Sequence, residues 1–432
     1  MNSQSSATRQ LNTKLLPTLV IILGGAQLFL PYKGWLVMLI GLGGLWLISY
    51  FWSKALMQSL TLQREIRFGW AQVGDRLEER FTITNESNLP ALWIELLDQS
   101  TMPNYHSSRV TGVGGTSRNR WQTRLVCQHR GVFTLGPTIL RTGDPFGIYT
   151  VNLVFEESKT LTVTPPVVPL PTITIAPGGR TGEGQPKSGS LERTISVAGL
   201  REYIPGDDMK WIHWPTSARR NSLYVRIFDN TPAGDWWVFL DLDQQTQFGF
   251  GYSSTEEHGV ILAASLADRG LRQGHAVGLV THGDELVWLS PFGGDVQRGK
   301  ILQALAQARL GKRSLAELLE RARPAFGRIA SLIIITAAVD GDWIEAVLPL
   351  LRRGAVATVL LFDPVSFDGT PTSHGTQSLL TNLGITCHII TRDVLDRSEL
   401  NPDQVGEWGW RVTPSGRAIR VGPSRDMTWR HL

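Results

Sequence analysis

The chain begins with two uncharged, mostly apolar runs, residues 15–31 and 35–53, which are separated only by residues 32–34. Each run is long enough, or nearly so, for a helix that crosses the hydrocarbon core of a bilayer, which takes about 20 residues. Core helices of a soluble protein usually have a polar face, and these runs have none. A cleaved signal peptide fits less well, because no small-x-small site follows the first run. The pattern predicts a transmembrane hairpin over residues 1–60.

Positive charge is concentrated around this hairpin. The basic residues there are Arg9 and Lys14 before it, Lys33 in its turn, and Lys54, Arg64 and Arg67 after it. The positive-inside rule therefore predicts that both ends of the hairpin are cytoplasmic. Residues 1–60 hold four of the 42 basic residues and no acidic one, so the remaining 38 basic residues balance the 38 acidic ones. A neutral remainder disfavours nucleic-acid binding, which needs clustered Lys and Arg.

Beyond the hairpin, composition and length predict a folded chain of several domains. Hydrophobic residues make up 42% of the 432 residues and charged residues 19%, which excludes an intrinsically disordered protein. Cys127 and Cys387 are the only cysteines, so a disulfide scaffold and a cysteine-based zinc site are both excluded. Two cysteines that need no oxidation agree with a cytoplasmic location.

Residues 61–171 alternate between polar and apolar positions with a period of two. Short runs of this kind, such as Leu77–Thr84 and Arg120–Gln128, are separated by turn residues, with no long helical stretch between them. This pattern predicts a small β-sandwich. Asp144, directly before Pro145, is predicted to be a turn residue rather than a catalytic acid.

After residue 234 the pattern changes again, and apolar runs of strand length alternate with stretches of helical periodicity up to residue 391. This alternation predicts a doubly wound, largely parallel sheet with helices on both faces. Ligands of such sheets bind at the carboxyl ends of the strands. Residues 392–432 are predicted to be a mostly irregular tail.

Between these two domains, residues 172–234 are predicted to be a linker that carries a charged signature. The signature consists of Arg201, Glu202, Tyr203, Pro205, Gly206, Asp207 and Asp208, followed by Trp214, Ser217, Arg219 and Arg226. Its charges nearly balance, which predicts a structural network of ion pairs. A catalytic interpretation would take Ser217 as nucleophile and His213 as its base. Nothing in the spacing supports it, and the sequence contains no Gly-x-Ser-x-Gly elbow.

These motifs resemble a known family. The segments that carry the resemblance are Arg201–Asp208, Ile212-x-Trp214, Ser217–Arg219, Val225-Arg226, Arg130–Pro137 and Asp144–Gly147, together with the hairpin. They resemble the bacterial family called domain of unknown function 58, over most of the chain to about residue 390. The resemblance implies a von Willebrand factor A-like α/β domain and a partner among the MoxR-type AAA+ ATPases. It implies no defined chemistry.

The first predicted strand of the α/β domain ends at a degenerate metal motif. The von Willebrand factor A site has Asp-x-Ser-x-Ser here, whose oxygens suit Mg2+ or Mn2+. Asp241 matches the first position, whereas Asp243 and Gln245 replace both serines. Thr336 follows a second strand, where the family type offers an Asp beside the Thr. We therefore predict no cofactor, with Mg2+ or Mn2+ at Asp241 and Asp243 as the alternative.

Residues 294–301 match the Gly-x4-Gly-Lys part of a phosphate-binding loop. Ile301 stands where Ser or Thr would give Mg2+ a hydroxyl oxygen, and no apolar strand ending in Asp follows. The segment is therefore predicted to begin a helix of the α/β domain, and nucleotide is expected on a partner ATPase. A nucleotide-hydrolase interpretation would use Lys300.

Together the sequence predicts a multidomain, non-enzymatic scaffold or adaptor, anchored in the bacterial inner membrane and facing the cytoplasm. By resemblance it would bring a MoxR-type AAA+ ATPase to the membrane; no small-molecule substrate is identified. The alternative function is a metal-assisted hydrolase that uses Asp241 and Asp243. A scaffold is expected to lose partner binding, not turnover, when Asp207, Asp208 or Arg219 is changed.

Overall fold

Two units make up the fold, one formed by Met1–Thr164 with Arg397–Leu432 and the other by Pro165–Asp396. The computed structural model describes residues 6–66, 69–105, 107–170, 173–176, 197–204, 209, 212–220, 222–228, 235–325, 330–395, 409–412, 418–421 and 430–431.

The two apolar runs form the helices α1 (Leu15–Phe29) and α2 (Lys33–Ser59). α2 is long and apolar enough to cross a bilayer, whereas α1, with 15 residues, is shorter. Most of their large apolar side chains are exposed, Phe29 and Val37 among them. α2 continues past the predicted end at residue 53, because Leu56 is buried in the core of the β-rich unit.

Within the described residues, eleven strands of the first unit precede Pro165. They are β1 (Ser6–Leu11), β2 (Leu60–Ile66), β3 (Trp70–Gln72), β4 (Arg76–Asn85), β5 (Ala91–Asp98), β6 (Arg109–Val113), β7 (Ser117–Val126), β8 (Gly131–Leu135), β9 (Thr138–Gly143), β10 (Tyr149–Phe155) and β11 (Lys159–Thr164). One antiparallel sheet has the order β1-β10-β9-β5-β6, and a second contains β2-β4-β7. Ile83 and Phe81 of the second sheet share one core cluster with Ile94, Leu140 and Leu153 of the first. A third sheet, β3-β11-β8, packs around Leu135 and Leu161.

Two details of this unit differ from the sequence prediction. The sequence predicts that Ser6–Leu11 belongs to the hairpin segment, but it forms β1 and pairs with β10 along its whole length. β1 consists mostly of polar, exposed residues, so it lacks the alternation of apolar and polar positions that predicts a strand. Backbone hydrogen bonds to β10, and not burial of side chains, hold it in place. Arg64, counted among the positive charges after the hairpin, is buried and bonded to Glu79 and Asp98.

The second unit alternates strands and helices. Its elements are β12 (Val197–Glu202), α3 (Trp214–Arg220), β13 (Tyr224–Phe228), β14 (Asp235–Leu240), α4 (Thr255–Arg272), β15 (Val277–His282), β16 (Leu286–Phe292), α5 (Asp295–Gln307), α6 (Leu315–Ala322), β17 (Ala330–Thr336), α7 (Asp342–Arg352), β18 (Val356–Phe362), α8 (His374–Asn382) and β19 (Thr386–Ile390). The main sheet has the order β16-β15-β14-β17-β18-β19, and only β16 is antiparallel to its neighbour.

Helices cover both faces of this mixed sheet. Alternate residues of β14 point to opposite sides: Val238 packs in a cluster with α4 and α5, and Phe239 in a cluster with α6 and α7. Every residue of β17 is buried, as expected for a strand covered on both faces.

The proline-rich segment after β11 is not a free linker. Ile173 is buried in the core of the α/β unit, and Val167, Val168 and Leu170 pack against it. The backbone of Ala176 is bonded to the side chains of β17 and β18, through Ser331 and Thr358. The apolar residues between the prolines are buried on the α/β domain, so the β-rich domain ends at Thr164 and not at the predicted residue 171, and the α/β unit begins at Pro165 and not at residue 235.

The described residues of the carboxy-terminal part, which is predicted to be mostly irregular, form the short strands β20 (Gly409–Val412), β21 (Ala418–Val421) and β22 (Arg430–His431). β20 pairs with β21, and β22 adds to the edge of β2 in the first unit. Strands of two to four residues are too short to give a periodic signal in the sequence.

Candidate functional site

The candidate site lies where the connections of the α/β sheet diverge. From β14 the chain passes to β15 on one side and later returns to β17 on the other. Such a switch point opens a crevice at the carboxyl ends of the two strands, where α/β proteins bind ligands. Asp241 directly follows β14, and Thr336 ends β17. The Thr336 hydroxyl donates a hydrogen bond of 2.6 Å to Asp241 Oδ2, so the structure joins these two residues.

The loop after β14 supplies the other partners of this carboxylate. Thr246 Oγ1 donates to Asp241 Oδ2 at 3.1 Å, and the Asp243 amide donates to Oδ1 at 3.0 Å. The carboxylate of Asp243 turns back to its own loop and accepts from the Gln245 amide at 3.1 Å. Asp241 is only 4% exposed. Both of its oxygens therefore receive hydrogen bonds from the protein itself.

This donor set does not fit the metal centre of the predicted alternative. Asp243 and Gln245 occupy the positions of the two hydroxyl ligands, and the Asp243 carboxylate accepts a hydrogen bond from the Gln245 amide of its own loop. Within the ranges that the structure describes, no group of three or more His, Cys, Asp or Glu side chains is arranged to hold a metal ion. The site is better described as a buried, hydrogen-bonded carboxylate than as a cation site.

Burial gives Asp241 an unusual proton affinity. It raises the pKa of this carboxyl from 3.8 to about 6, and the hydrogen bonds from Thr336, Asp243 and Thr246 oppose the rise only in part. Folding therefore disfavours the ionised form. The stability associated with the protonated group is complete below pH 3.8 and is lost as the pH rises through about 6.

We expect Asp241→Asn to remove this pH dependence. The amide keeps the shape of the side chain without the charge. Relative to the variant, the wild-type protein should lose up to about 3 kcal/mol of unfolding free energy between pH 4 and pH 8. Thermal unfolding of the full chain in detergent across this range measures the difference, with Asp340→Asn, an exposed carboxylate of the same unit, as control. Parallel curves for wild type and Asp241→Asn would contradict the assignment.

Two exposed apolar side chains lie on loops at the same edge of the sheet. Phe250, in the loop between Asp243 and α4, is 94% exposed. Gly249 and Gly251 on either side have positive φ angles of 79° and 56°, which fix the loop with Phe250 outward. Val365, in the loop after β18, is also exposed. We call Phe250 and Val365 the carboxyl-edge patch.

The two loops of this patch support each other. Phe248, two residues before Phe250, packs on the core of the domain, and its backbone amide is bonded to Thr255 Oγ1 at 2.9 Å. A Cβ atom added at Gly369 would lie 2.7 Å from the Phe248 ring, so the loop after β18 contacts the loop after β14. Phe250 is therefore exposed on a loop that is itself packed and hydrogen-bonded.

The charged signature forms a separate strand–helix–strand motif. β12 and β13 pair antiparallel, with Arg201 opposite Val225 and Glu202 opposite Tyr224. α3 begins at Trp214, which is exposed, as is Arg219 in its last turn. Tyr203 follows β12, and its amide donates to the Leu223 carbonyl. Pro205, Gly206, Asp207 and Asp208, and the side chains of Arg201 and Arg226, lie outside the described residues. The predicted ion-pair network therefore stays a prediction.

Ser217 has a structural role in this motif. Its hydroxyl donates to the His213 carbonyl at 3.0 Å and accepts from the Tyr224 amide at 2.9 Å, which ties α3 to β13. His213 Nδ1 lies 2.8 Å from Thr216 Oγ1. The ring nitrogen thus meets Thr216 and not Ser217, so this geometry does not favour a Ser217–His213 pair.

The segment that resembles a phosphate-binding loop is helical. α5 begins at Asp295 with Gly294 as its N-cap, so Gly299 and Lys300 lie inside the helix. In a phosphate-binding loop, the residues before Gly-Lys wrap around the phosphates. The structure agrees here with the predicted helix start.

Sequence reasoning missed Thr246 and Phe250. Thr246 lies five residues after Asp241 and comes near it only because the loop folds back. Phe250 had one usable signal, because an aromatic residue between two glycines is typical of a constrained, outward-facing loop.

Part of the chain that contains this site is similar to known proteins. Residues 199–368 match the family described as "Protein of unknown function DUF58", a segment that begins in β12 and extends past β18. Residues 199–368 are thus a DUF58 segment. The predicted resemblance to this family is confirmed for that segment. A relative in Bacillus subtilis (strain 168), "Uncharacterized protein YeaD", is 26% identical over 226 residues, which cover 51% of this chain and 54% of the relative. The chain thus spans about half the length of this relative.

Solved structures give only remote likenesses. The CARDB domain of a Pyrococcus furiosus protein, in complex with di-metal ions, is 7% identical with a TM-score of 0.18, and covers 24% of this chain and 91% of that domain. The complex of zinc 2-glycoprotein and prolactin-inducible protein from human seminal plasma reaches a TM-score of 0.20 at 8% identity, and covers 24% of this chain and 92% of that one. Scores this low transfer neither fold nor function.

Proposed function

We propose that the chain is a membrane-anchored scaffold or adaptor, whose α/β domain faces the cytoplasm and binds a protein partner, a MoxR-type AAA+ ATPase. The observation that carries the proposal is the carboxyl-edge patch. It presents an exposed Phe on a fixed loop at the edge where α/β sheets bind ligands, beside a carboxylate that already has its hydrogen bonds. Such a surface is suited to contact rather than to catalysis.

The form of the α/β domain supports a von Willebrand factor A-like assignment within this proposal. Counted from β14, its strands have the order 3-2-1-4-5-6, with Asp241 at the end of the first strand and Thr336 at the end of the fourth. The partner class comes from the family resemblance. Nucleotide hydrolysis would then reside on the ATPase.

The hairpin supports the membrane part of the proposal. α2 has 27 residues, which corresponds to about 40 Å of helix and exceeds the thickness of the hydrocarbon core of about 30 Å. Its exposed large side chains from Trp35 to Phe51 are apolar. β1 before the hairpin and β2 after it belong to one unit, which supports a hairpin with both ends on the same side. The positive charges favour the cytoplasmic side of the inner membrane.

Capture of the partner tests the proposal. Intact protein is purified from native membranes with and without ATP, as wild type, Phe250→Ser and Phe292→Ser. Phe292 is the matched control because it is also exposed, at 66%, but pairs with Val277 at the amino edge of the sheet. Loss of an aromatic hot spot costs about 2 kcal/mol or more, so Phe250→Ser should reduce the captured AAA+ ATPase on the order of tenfold. Equal capture by both variants, or no ATPase with wild type, would contradict it.

A further inference from the structure

The turn between β9 and β10 is ordered and exposes the side chain of Phe146. Asp144 is buried, and its carboxylate accepts hydrogen bonds from the amides of Phe146 and Tyr149. The Gly147 amide donates to the Asp144 carbonyl at 3.2 Å, and Gly147 has a positive φ of 70°. Asp144 is a turn residue, as predicted. The turn it organises leaves the Phe146 side chain 54% exposed, whereas Ile148, two positions later, is buried.

This turn lies at the base of the hairpin. Asn12, three residues before α1, donates from its amide side chain to the Gly147 carbonyl at 2.9 Å, and its backbone amide donates to the Ile148 carbonyl at 2.9 Å. On the other side, Trp46 of α2 donates from Nε1 to the Tyr149 hydroxyl at 2.7 Å. The turn is therefore fixed to the start of α1 and to the middle of α2.

The start of α1 sets the depth of the turn. Asn12, which is bonded to the turn, lies three positions before the first residue of α1, and α1 is apolar from Leu15 to Phe29. If α1 enters the bilayer at Leu15, the turn lies at the headgroup boundary on the cytoplasmic side. Trp46 and Tyr149, which meet beside the turn, are of the residue types that favour this interfacial layer.

The neighbouring cation is held in a way that suits the same layer. Arg9 of β1 lies over the rings of Tyr50 and Tyr149, 4.0 Å and 5.0 Å from their centroids, and Arg9 Nη1 donates to the Tyr50 carbonyl. Aromatic faces and a carbonyl, which carry no formal charge, thus hold the guanidinium near the place where lipid phosphates would be.

We propose that the Pro145-Phe146 turn is a second membrane contact, which inserts Phe146 into the lipid interface beside the hairpin. The occupant is the bilayer, because the turn is continuous through Asn12 and Tyr149 with the helices that enter it. The inference rests on the proposed membrane anchoring. It adds that the β-rich unit contacts the membrane surface in one fixed orientation.

Depth-dependent quenching tests the contact. Full-length Phe146→Cys, Val132→Cys and Ile40→Cys are labelled with an environment-sensitive fluorophore and reconstituted in phosphatidylethanolamine–phosphatidylglycerol vesicles that contain lipids with nitroxides at shallow and at deep positions. Val132 is the control, since it is exposed on β8, in the sheet that packs at the far end of β2 from α2. Burial raises the pKa of Cys127 to about 12 and that of Cys387 to about 11, so both stay unreactive thiols at neutral pH.

The three labels separate this inference from the proposed anchoring. We expect several-fold stronger quenching at position 146 than at 132, together with quenching at 40. Quenching at 40 with equally weak signals at 146 and 132 would overturn the inference and leave the anchoring intact. No quenching at 40 would overturn both. Shielding at 146 that appears only at high protein-to-lipid ratio would assign Phe146 to a second copy of the chain and also overturn the inference.

Discussion

Replacing Arg64 by Met is expected to destabilise the β-rich unit by about 3–5 kcal/mol, because it leaves buried carboxylates without their cation. Arg64 Nη1 lies 2.8 Å from Asp98 Oδ1, and Nη2 lies 2.9 Å from Glu79 Oε2. The Tyr105 hydroxyl also donates to Glu79. All three charged side chains are at most 4% exposed. Burial raises the pKa of Glu79, and Arg64 opposes that rise.

Hydrogen exchange of the β4 amides measures this loss for the β-rich unit alone, as a rate increase on the order of a hundredfold or more. Arg124→Met is the control. Arg124 forms an exposed ion pair with Glu78 at 3.2 Å, and such pairs contribute less than about 1 kcal/mol. Adding Glu79→Gln to Arg64→Met should recover part of the stability, since one uncompensated charge disappears. A cost for Arg64→Met no larger than that for Arg124→Met would show that the cluster contributes little.

The second large effect is expected at Gly311, which supports the loop of the candidate site. Its amide donates to the Leu242 carbonyl and its carbonyl accepts from the Gln244 amide, both at 2.9 Å. A Cβ atom at this position would lie 2.1 Å from the Gly283 carbonyl oxygen. Backbone atoms cannot rotate away as a side chain can, so Gly311→Ala should cost about 3 kcal/mol, at the upper end of the usual range for overpacking.

Gly299→Ala is the matched control for this change. Gly299 lies inside α5 of the same unit, and nothing lies within 4 Å of its added Cβ atom. Alanine there should stabilise the helix by up to about 1 kcal/mol, an effect of opposite sign. Amide exchange in β14 provides the measurement for both variants. Unchanged exchange in Gly311→Ala would mean that the loop moves aside at little cost.

Periodicity predicted the elements that bury an apolar face. The fully buried β17 reads as a continuous apolar run, and α4 and α7 have the helical period, so the mixed sheet with helices on both faces was predictable. The helical runs near the amino terminus were predictable for the same reason. The continuation of α2 to Ser59 was not, because it depends on where Leu56 is buried in the tertiary structure.

Features that depend on backbone pairing or on long-range contacts gave no local signal. β1 consists mainly of polar residues and is held by β10, more than 130 positions later. The role of Arg64 depends on Asp98, 34 positions away, although its residue type suggested a surface charge. At the candidate site, Asp241 was predictable as a strand-end residue. Its hydrogen bond from Thr336, 95 positions later, required the sheet order.

Crosslinking in living cells tests the central claim most directly. A photoreactive amino acid replaces Phe250 in the full-length protein, and a second variant carries it in place of Phe292. Irradiation and identification of the adducts show what contacts each edge of the α/β domain. The account predicts that a AAA+ ATPase is crosslinked from position 250 and not from position 292. Adducts of such an ATPase from 292 alone, or none from 250 while the protein is folded and in the membrane, would contradict it.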